Sequence, residues 1–308
     1  MNYDQKLKQI LTASGWSQEK LAGEIGVSFA TVNSWVNAKS TPTRTDYIAK
    51  IDRVYDNIVG TSSVDIDKLK TLKTIATRTK LTAKKLIANR NLLDNITVNL
   101  TYHTNSIEGS TMTASDVSDV IFDNKVLKNR TATEQREAIN HQTALNFLLD
   151  ELNDKYRPFA WTPDLIRAIH LRLMSGIISN AGEYRNHGAR IMGAHVPLVN
   201  FINIPTAIQN LCNQLNSETT DLIGLMAMTH AEFEKIHPFS DGNGRTGRLI
   251  LLGLALQNGI FPPIIPRDKR TAYYKYLEDA QMNENYDPLE MLIVMTIADS
   301  IDEYEEEI

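Results

Sequence analysis

The sequence predicts a mainly α-helical protein with one β-hairpin. Apolar residues recur three and four positions apart along most segments, which is the period of an amphipathic helix. A strand-like pattern is confined to residues 189–204, where Gly193 separates two apolar arms and Pro197 suits a sheet edge. The helical stripes run through residues 138–152, 165–177, 208–215, 221–236, 273–282 and 289–304.

The composition is that of an ordinary globular protein. The 308 residues are 42% hydrophobic and 22% charged, with 15 Gly and 10 Pro, which excludes collagen-like and wholly disordered proteins. The formal net charge is −5, so bulk electrostatics do not indicate a nucleic-acid-binding protein. The length accommodates about two domains at ~150 residues each.

Cysteine use and hydropathy predict a cytoplasmic protein without a membrane anchor. The sole cysteine, Cys212, cannot form an internal disulfide and suits a reducing compartment. No activating motif surrounds it, so we interpret it as a small buried apolar residue. The N-terminus lacks the basic-then-apolar pattern of a signal peptide. No apolar run approaches the ~18 residues that a membrane helix needs.

The first sixty residues contain a capped pair of short helices. Ser17 and Ser28 can each cap a helix, and Gly26 lies between them where a tight turn needs a positive φ. The pattern resembles the helix-turn-helix of phage-repressor-like domains, whose second helix, here about residues 28–37, enters the major groove of DNA. The candidates for base contacts are Phe29, Ala30, Asn33 and Ser34.

The charge of this region leaves two interpretations open. Residues 1–60 hold seven Lys/Arg and six Asp/Glu, a net charge of 7 − 6 = +1, which is little for phosphate binding. The region is therefore either a DNA-binding module or a protein-interaction or dimerisation module. A small polar cluster at residues 60–63 predicts a boundary. We expect a helix-turn-helix domain at 1–60, a linker helix region at 61–92 and a second domain at 93–308.

Residues 237–248 read His-Pro-Phe-Ser-Asp-Gly-Asn-Gly-Arg-Thr-Gly-Arg and predict an anion-binding turn. Pro238 ends one helix, and an apolar run after the segment begins the body of the next. Gly242, Asn243 and Gly244 allow backbone N–H groups to converge at the N-terminus of that second helix. Such a terminus binds phosphate oxygens, assisted by the helix dipole.

Charged side chains add chemistry to this turn. Arg245 and Arg248 are three residues apart on the first helical turn, so both guanidinium groups point toward one anion. Asp241 is an acid beside a basic loop, which suits Mg²⁺ bridging to phosphates. His237 has a pKa suited to proton transfer near neutral pH. A dinucleotide-binding loop is excluded, because the preceding segment reads as helix rather than strand.

The segment resembles the signature His-Pro-Phe-x-(Asp/Glu)-Gly-Asn-Gly-Arg-x-x-Arg of Fic-domain proteins at every defined position. The resemblance extends over about residues 90–300 and implies the Fic helical fold with a hairpin flap. It also implies transfer of AMP from ATP to a Ser, Thr or Tyr hydroxyl of a target protein, with release of pyrophosphate. The implied roles are proton acceptor for His237, Mg²⁺ ligand for Asp241, anion hole for Gly242, Asn243 and Gly244, and β/γ-phosphate binding for Arg245 and Arg248.

Other segments resemble the same family. The hairpin falls where Fic proteins carry a flap that docks the target by strand addition. The sequence Gly-Glu-Tyr-Arg at residues 182–185 precedes it, as in the family. Tyr274, within residues 270–277, is a candidate for packing on adenosine. The predicted docking residues of the flap are Ile191, Met192, Gly193, Ala194 and His195.

Three residues near these motifs are interpreted as structural. His170 and His230 lie on apolar helical stripes, and nothing beside them has metal-ligand spacing. The resemblance implies that Phe239 packs into the core and anchors the turn. None of the three is expected to take part in the chemistry.

Residues 104–109, Thr-Asn-Ser-Ile-Glu-Gly, resemble the inhibitory motif (Ser/Thr)-x-x-x-Glu-(Gly/Asn) of the family. The resemblance implies that Glu108 pairs with Arg248 and denies that guanidinium to the γ-phosphate of ATP. The expected protein is a self-restrained AMP transferase that also modifies itself. Two alternatives stay open: a nucleotide-sensing DNA-binding regulator, and an enzyme that removes AMP or uses another phosphate donor. The target protein and the oligomeric state, including a homo-oligomer, also stay open.

Overall fold

Helices form the regular secondary structure of the protein, seen here in a computed structural model that describes residues 2–60, 64–78, 80–191 and 195–304. Within these ranges no strand is formed. The mainly α-helical fold predicted from the apolar spacing is therefore confirmed. The α-helices are α1 (Tyr3–Ser14), α2 (Gln18–Ile25), α3 (Phe29–Val36), α4 (Thr45–Ile58), α5 (Ile66–Ala76), α6 (Ala83–Ala88), α7 (Arg90–Ile107), α8 (Ala114–Ile121), α9 (Ala132–Leu152), α10 (Pro163–Met174), α11 (Ile204–Leu215), α12 (Leu222–Ile236), α13 (Asn243–Gln257), α14 (Arg270–Asn283) and α15 (Asp287–Tyr304).

Contacts divide the chain into two units, of which the first comprises Met1–Val64 and Pro266–Tyr276. Its α2 and α3 begin at Ser17 and Ser28, whose side chains accept hydrogen bonds from first-turn N–H groups. Gly26 joins the two helices with a φ of +80°, a conformation that glycine adopts without steric cost. The predicted helix-turn-helix region is therefore confirmed.

A small core holds this first unit together. Buried side chains from α1 to α4, including Leu21, Val32 and Trp35, form one apolar cluster. The segment Pro266–Tyr276 is fastened to the same unit through Lys275, whose Nζ donates to the carbonyl of Gly60 at 2.8 Å. A stretch distant in sequence therefore completes the N-terminal helical unit.

The second unit comprises Asp65–Ile265 and Leu277–Ile308. Its α13 is buried on nearly every side, from Asn243 to Leu256, as expected of a helix at the centre of a bundle. Helices α7, α9, α10 and α12 pack against it, and α12 also packs against α11 and α15. The turn that joins α12 to α13 therefore lies at one end of the core of this unit.

The hairpin predicted over residues 189–204 is wrong for the residues that the structure describes. Residues 192–194, the centre of the predicted flap, lie outside the described part of the chain. Phe201–Asn203 forms a 3₁₀ turn, opened by the Asn200 side chain, which accepts from a backbone N–H two residues later. The backbone N–H and C=O of Val199 bond to α12 and to a buried arginine instead of a facing strand. These alternative partners satisfy the groups that a ladder would have used.

Candidate active site

The turn between α12 and α13, residues 237–248, is called the phosphate turn, after the anion site that the sequence predicts. His237 ends α12 in the left-handed conformation, with φ +46°, and Gly242 precedes α13 with φ +76°. The Asn243 side chain braces the turn, because its Oδ1 accepts from the N–H of Phe239 and its Nδ2 donates to the carbonyl of Phe239, both at 2.9 Å. The first N–H groups of α13 have no carbonyl partner within their own helix. They are therefore oriented for an anion.

Phe239 fixes the turn to α10. Its ring is fully buried and stacks on His170 with centroids 3.6 Å apart and planes 1° from parallel. The Nδ1 of His170 accepts from the N–H of Gly182 at 2.8 Å, so its Nε2 carries the proton and donates to the carbonyl of Asp241 at 2.9 Å. Burial lowers the pKa of His170 to about 4. This neutral histidine therefore supports the turn by stacking on Phe239 and by its hydrogen bond to Asp241.

Arg248 is paired with Glu108, the residue that ends α7. Nη2 of Arg248 lies 2.5 Å from Oε1 of Glu108, and Nε donates to the Thr104 hydroxyl at 2.6 Å. The guanidinium side chain is 5% exposed and the carboxylate side chain 31% exposed. Gly244 makes room for the pair, because a Cβ at this position would clash with the carboxylate. We call Glu108 and Arg248 the inhibitory pair, after the role that the sequence resemblance predicts for Glu108.

Arg245 is paired with a carboxylate that sequence reasoning missed. Nη1 of Arg245 donates to Oε1 of Glu137 on α9 at 2.7 Å, and its Nη2 lies 3.7 Å from Oδ1 of Asp241. No motif surrounds Glu137, so the sequence carried no signal for this contact. Each arginine of the phosphate turn is thus neutralised by a carboxylate from a different helix.

His237 lies against the last turn of α12. Its Nδ1 is 3.3 Å from the carbonyl oxygen of Glu234 and 3.9 Å from the carboxylate of the same residue. Burial lowers the pKa of His237, so the imidazole is neutral at pH 7. With Nδ1 donating to the helix carbonyl, Nε2 has a lone pair available to accept a proton. Glu234 was also missed by sequence reasoning, and burial raises its pKa to about 8.

Asp241 has the exposed carboxylate of the site. Its side chain is 60% exposed, and its Oδ1 accepts from the N–H of Gly242 at 2.6 Å. Within the described ranges, no group of three or more His, Cys, Asp or Glu side chains could hold a metal ion. A single carboxylate fits Mg²⁺ that takes its other ligands from phosphates and water, the usual arrangement at nucleotide sites.

The predicted docking residues of the flap and Tyr274 lie outside the phosphate turn. His195 donates its backbone N–H to Glu278 at 3.1 Å, and Ile191 is half-buried, whereas Met192, Gly193 and Ala194 lie outside the described residues. Tyr274 belongs to the first unit, where its ring lies 4.9 Å from the guanidinium of Arg270. A role in adenosine binding for Tyr274 stays a prediction.

The four candidates for DNA contact differ in availability. Phe29 is 46% exposed, and Ala30 is exposed. Asn33 donates to the side chain of Gln18 at 3.1 Å, and the hydroxyl of Ser34 lies 2.7 Å from the hydroxyl of Ser40. DNA contact by these residues stays a prediction.

Several buried titratable groups are held in their neutral forms. Burial raises the pKa of the Cys212 thiol to about 12, so the interpretation of Cys212 as an inert apolar residue is supported. Burial, with the charges of Arg248 and Arg245, lowers the pKa of His141 to about 3. Burial and Arg248 lower that of His230 to about 3 as well. These groups are unsuited to proton transfer at neutral pH.

The model of the Fic/DOC family matches residues 160–255, which include all of the phosphate turn. Residues 160–255 are therefore similar to the domain of that family. The model of a helix-turn-helix family matches residues 7–56. Both resemblances in the sequence are thereby confirmed at the level of the domain.

Curated relatives match more than half of this chain. The protein adenylyltransferase Fic of Nematostella vectensis is 32% identical over 188 residues, 58% of this chain and 42% of that protein. The protein adenylyltransferase Fic of Drosophila erecta is 30% identical over 181 residues, 58% of this chain and 36% of that protein. This chain therefore spans about two fifths of the length of these relatives.

Solved structures support the Fic fold. Fic-1 from C. elegans is 22% identical with a TM-score of 0.67, over 94% of this chain and 84% of that chain. A Fic domain containing signaling protein from Bacteroides thetaiotaomicron is 19% identical with a TM-score of 0.62, over 79% of this chain and 98% of that chain. Among the residues described here, no helix combines the length and apolar character that crossing a membrane requires.

Proposed function

We propose that the protein transfers AMP from ATP to a hydroxyl group of a target protein and that Glu108 restrains this activity. One observation carries the proposal: a neutral imidazole, that of His237, stands beside a helix N-terminus flanked by Arg245 and Arg248. This arrangement combines a proton acceptor with a polyphosphate site. The adenylyltransferase relatives named above support the same chemistry.

The proposed reaction is an in-line displacement at the α-phosphorus of ATP. The target hydroxyl oxygen forms a bond to that phosphorus, the bond from phosphorus to the α,β-bridging oxygen breaks, and pyrophosphate leaves. Nε2 of His237 takes the hydroxyl proton. The N–H groups at Asn243 and Gly244 and the two guanidinium groups stabilise the charge on the phosphate oxygens, as in phosphoryl transfer generally.

Asp241 is the proposed ligand for Mg²⁺. The ion would neutralise phosphate charge when ATP is bound. The exposed carboxylate of Asp241 contributes one protein ligand, consistent with an ion that is held mainly by substrate oxygens and water. The ion pair with Glu137 holds the neighbouring guanidinium of Arg245, whose side chain is 4% exposed.

Glu108 is the proposed restraint. Nη2 of Arg248 already binds a carboxylate oxygen of Glu108 at 2.5 Å, so this donor is not available to a phosphate oxygen, because both anions would use it. ATP that enters beside the intact inhibitory pair lacks one of its cationic partners. Release of Glu108 restores Arg248 to the nucleotide and permits the productive pose.

Transfer from α-labelled ATP with Mg²⁺ tests the proposal on the full chain, in a cell lysate and alone. Glu108→Gly is expected to increase label incorporation at least about tenfold, the size of one charge-assisted contact. Glu108→Gln is the matched variant, since it keeps the shape and removes the charge, and we expect an intermediate rate. His237→Ala in the Glu108→Gly chain is expected to abolish incorporation while ATP binding persists.

The mass added to the labelled protein distinguishes the proposal from its alternatives. One AMP per modified site supports adenylyl transfer, and a different added group indicates another phosphate donor. Loss of AMP from a previously modified protein indicates hydrolytic removal, in which Glu108 would orient a water molecule that forms a bond to phosphorus as the bond to the target oxygen breaks and AMP leaves. No incorporation by Glu108→Gly contradicts the proposed function.

A second proposal concerns the helix-turn-helix region, supported by the family match over residues 7–56. We infer that α3 binds duplex DNA and that the exposed ring of Phe29 lies at the base edges. A gel-shift series at rising salt, with and without ATP, tests this proposal, and Phe29→Ala is expected to weaken the shift. Absence of a shift at low salt would favour a protein-interaction module.

A further inference from the structure

Arg185 is a buried cation whose side-chain partners are all backbone carbonyl groups. The residue is 3% exposed. Its Nε donates to the carbonyl of His237 at 2.8 Å and its Nη1 to that of His187 at 2.7 Å. Its Nη2 donates to the carbonyls of Val199 at 2.6 Å and Ile236 at 3.3 Å. Among the described residues, no carboxylate lies within ion-pair distance of it. We call Arg185 with these four carbonyls the Arg185 junction.

Backbone hydrogen bonds extend the junction on both sides. The N–H of Arg185 donates to the carbonyl of Pro238 at 2.9 Å, and the N–H of Val199 donates to the carbonyl of Lys235 at 3.3 Å. Consecutive carbonyls at the end of α12 are therefore all engaged. The junction connects the His237 backbone to two described stretches, residues 186–191 and 195–199.

The electrostatics of a helix end explain why a cation is placed here. The last carbonyls of a helix have no partner within the helix and carry partial negative charge. A guanidinium presents several N–H donors in a fixed planar fork, so one side chain can serve carbonyls from separate segments. His237 has a positive φ, which a non-glycine residue keeps only when its surroundings fix it.

We propose that Arg185 is a positioning residue that fixes the His237 imidazole at the end of α12, where it accepts the proton of the target hydroxyl group. This inference rests on the proposed function. The described contacts of Arg185 include neither Arg248 nor the N–H groups that begin α13. Arg185 therefore acts on the placement of the proton acceptor and not on the binding of ATP.

Self-labelling by the Glu108→Gly chain with labelled ATP and Mg²⁺ measures this role. Arg185→Lys keeps the charge but presents a single ammonium that cannot reach four carbonyls. The labelling rate at saturating ATP is expected to fall about 100-fold, the size expected when reacting groups are misplaced by about an ångström. The half-saturating ATP concentration is expected to stay the same. A lower labelling rate together with a changed half-saturating ATP concentration would overturn the proposal, since Arg185 would then act on nucleotide binding.

Arg167→Lys is the matched control. Arg167 donates to the carbonyl of Gly182 at 2.9 Å, so it supports the same loop without touching the end of α12. The control is expected to label at the rate of the Glu108→Gly chain. An equal loss of rate in both variants would overturn the proposal, because general loosening of the loop would then explain the effect.

Hydrogen exchange on the full chain gives a readout that does not depend on activity. Arg185→Lys is expected to increase amide exchange in residues 186–191, 195–200 and 235–238 and to leave α13 unchanged. Increased exchange there without a lower labelling rate would overturn the proposal. A Glu108→Gly chain that labels nothing contradicts the proposed function instead, and exchange still decides whether Arg185 fixes the His237 backbone.

Discussion

The inhibitory pair and the Arg185 junction each hold a buried arginine, but their partners differ in kind. Arg248 binds the carboxylate of Glu108, a side chain that is nearly one-third exposed. Arg185 binds carbonyls that belong to the backbone of its own domain. A phosphate oxygen can replace a side-chain carboxylate, whereas no substrate can replace a backbone carbonyl. The first contact is therefore exchangeable and the second permanent.

This difference predicts opposite effects on activity. Removal of the exchangeable partner, Glu108, raises the rate because the guanidinium becomes available to ATP. Removal of the permanent cation, Arg185, lowers the rate because His237 loses its fixed place. The two proposals therefore place regulation at one end of the phosphate turn and alignment at the other.

Acidification is expected to have the largest effect on the free energy of unfolding. It acts through His141, whose pKa is lowered by burial and by the charge of Arg248 in the inhibitory pair. His141, with its Nδ1 2.8 Å from the Thr101 hydroxyl, has a folded-state pKa of about 3 instead of 6.5. A lowered pKa contributes stability above the unfolded value that is lost as pH falls from about 6.5 toward about 3. Urea unfolding at several pH values should show this decrease. His141→Gln should reduce the slope, and equal slopes in the variant and the unaltered chain would contradict this expectation.

Gly247→Ala is the next largest expected effect, and it tests the packing beneath Arg248. A Cβ at Gly247 would lie 2.6 Å from Oε1 of Glu234 and 3.0 Å from Cε1 of His230. Overpacking of this kind costs about 1–3 kcal/mol, which exceeds the helix-propensity gain of about 1 kcal/mol. Urea unfolding should show a lower free energy. Gly23→Ala is the control, since no atom lies within 4 Å of its Cβ, and it should stabilise the first unit by about 0.5–1 kcal/mol.

Thr104→Val should have the smallest effect. It tests whether the hydroxyl of Thr104 helps Glu108 to hold the Arg248 guanidinium away from ATP. The variant removes the hydroxyl that accepts from Nε of Arg248 and leaves Glu108 in place. The labelling rate should rise less than in Glu108→Gly, by up to about tenfold. Thr97→Val is the matched control on the same helix, because the Thr97 hydroxyl donates only within α7. A rate in Thr104→Val equal to that of the control would show that Thr104 does not hold Arg248.

The sequence predicted those parts of the site whose chemistry lies within short motifs. The phosphate turn and the structural character of His170 and Phe239 could be read from local spacing and resemblance. The partners of Arg245 and Arg185 could not, because Glu137 lies about a hundred residues away and backbone carbonyls leave no trace in residue identity. The division of the chain at residue 60 stays a prediction.

The hairpin predicted over residues 189–204 shows why an alternation of apolar residues does not by itself identify paired strands. Strand pairing needs free backbone groups on both arms, and the backbone of Val199 is already bonded to Arg185 and Lys235. The Asn200 cap then turns the chain into a 3₁₀ turn before α11. Such competition for hydrogen bonds arises only in the folded protein and cannot be read from periodicity.

Label incorporation by a double variant tests the central claim most directly. In the proposed restraint, Glu108 occupies the Arg248 guanidinium that ATP needs. Glu108→Gly should therefore be active, and Glu108→Gly combined with Arg248→Ala should return to a rate at or below that of the unaltered chain. A double variant as active as Glu108→Gly alone would contradict the claim, because Glu108 would then act through some other group.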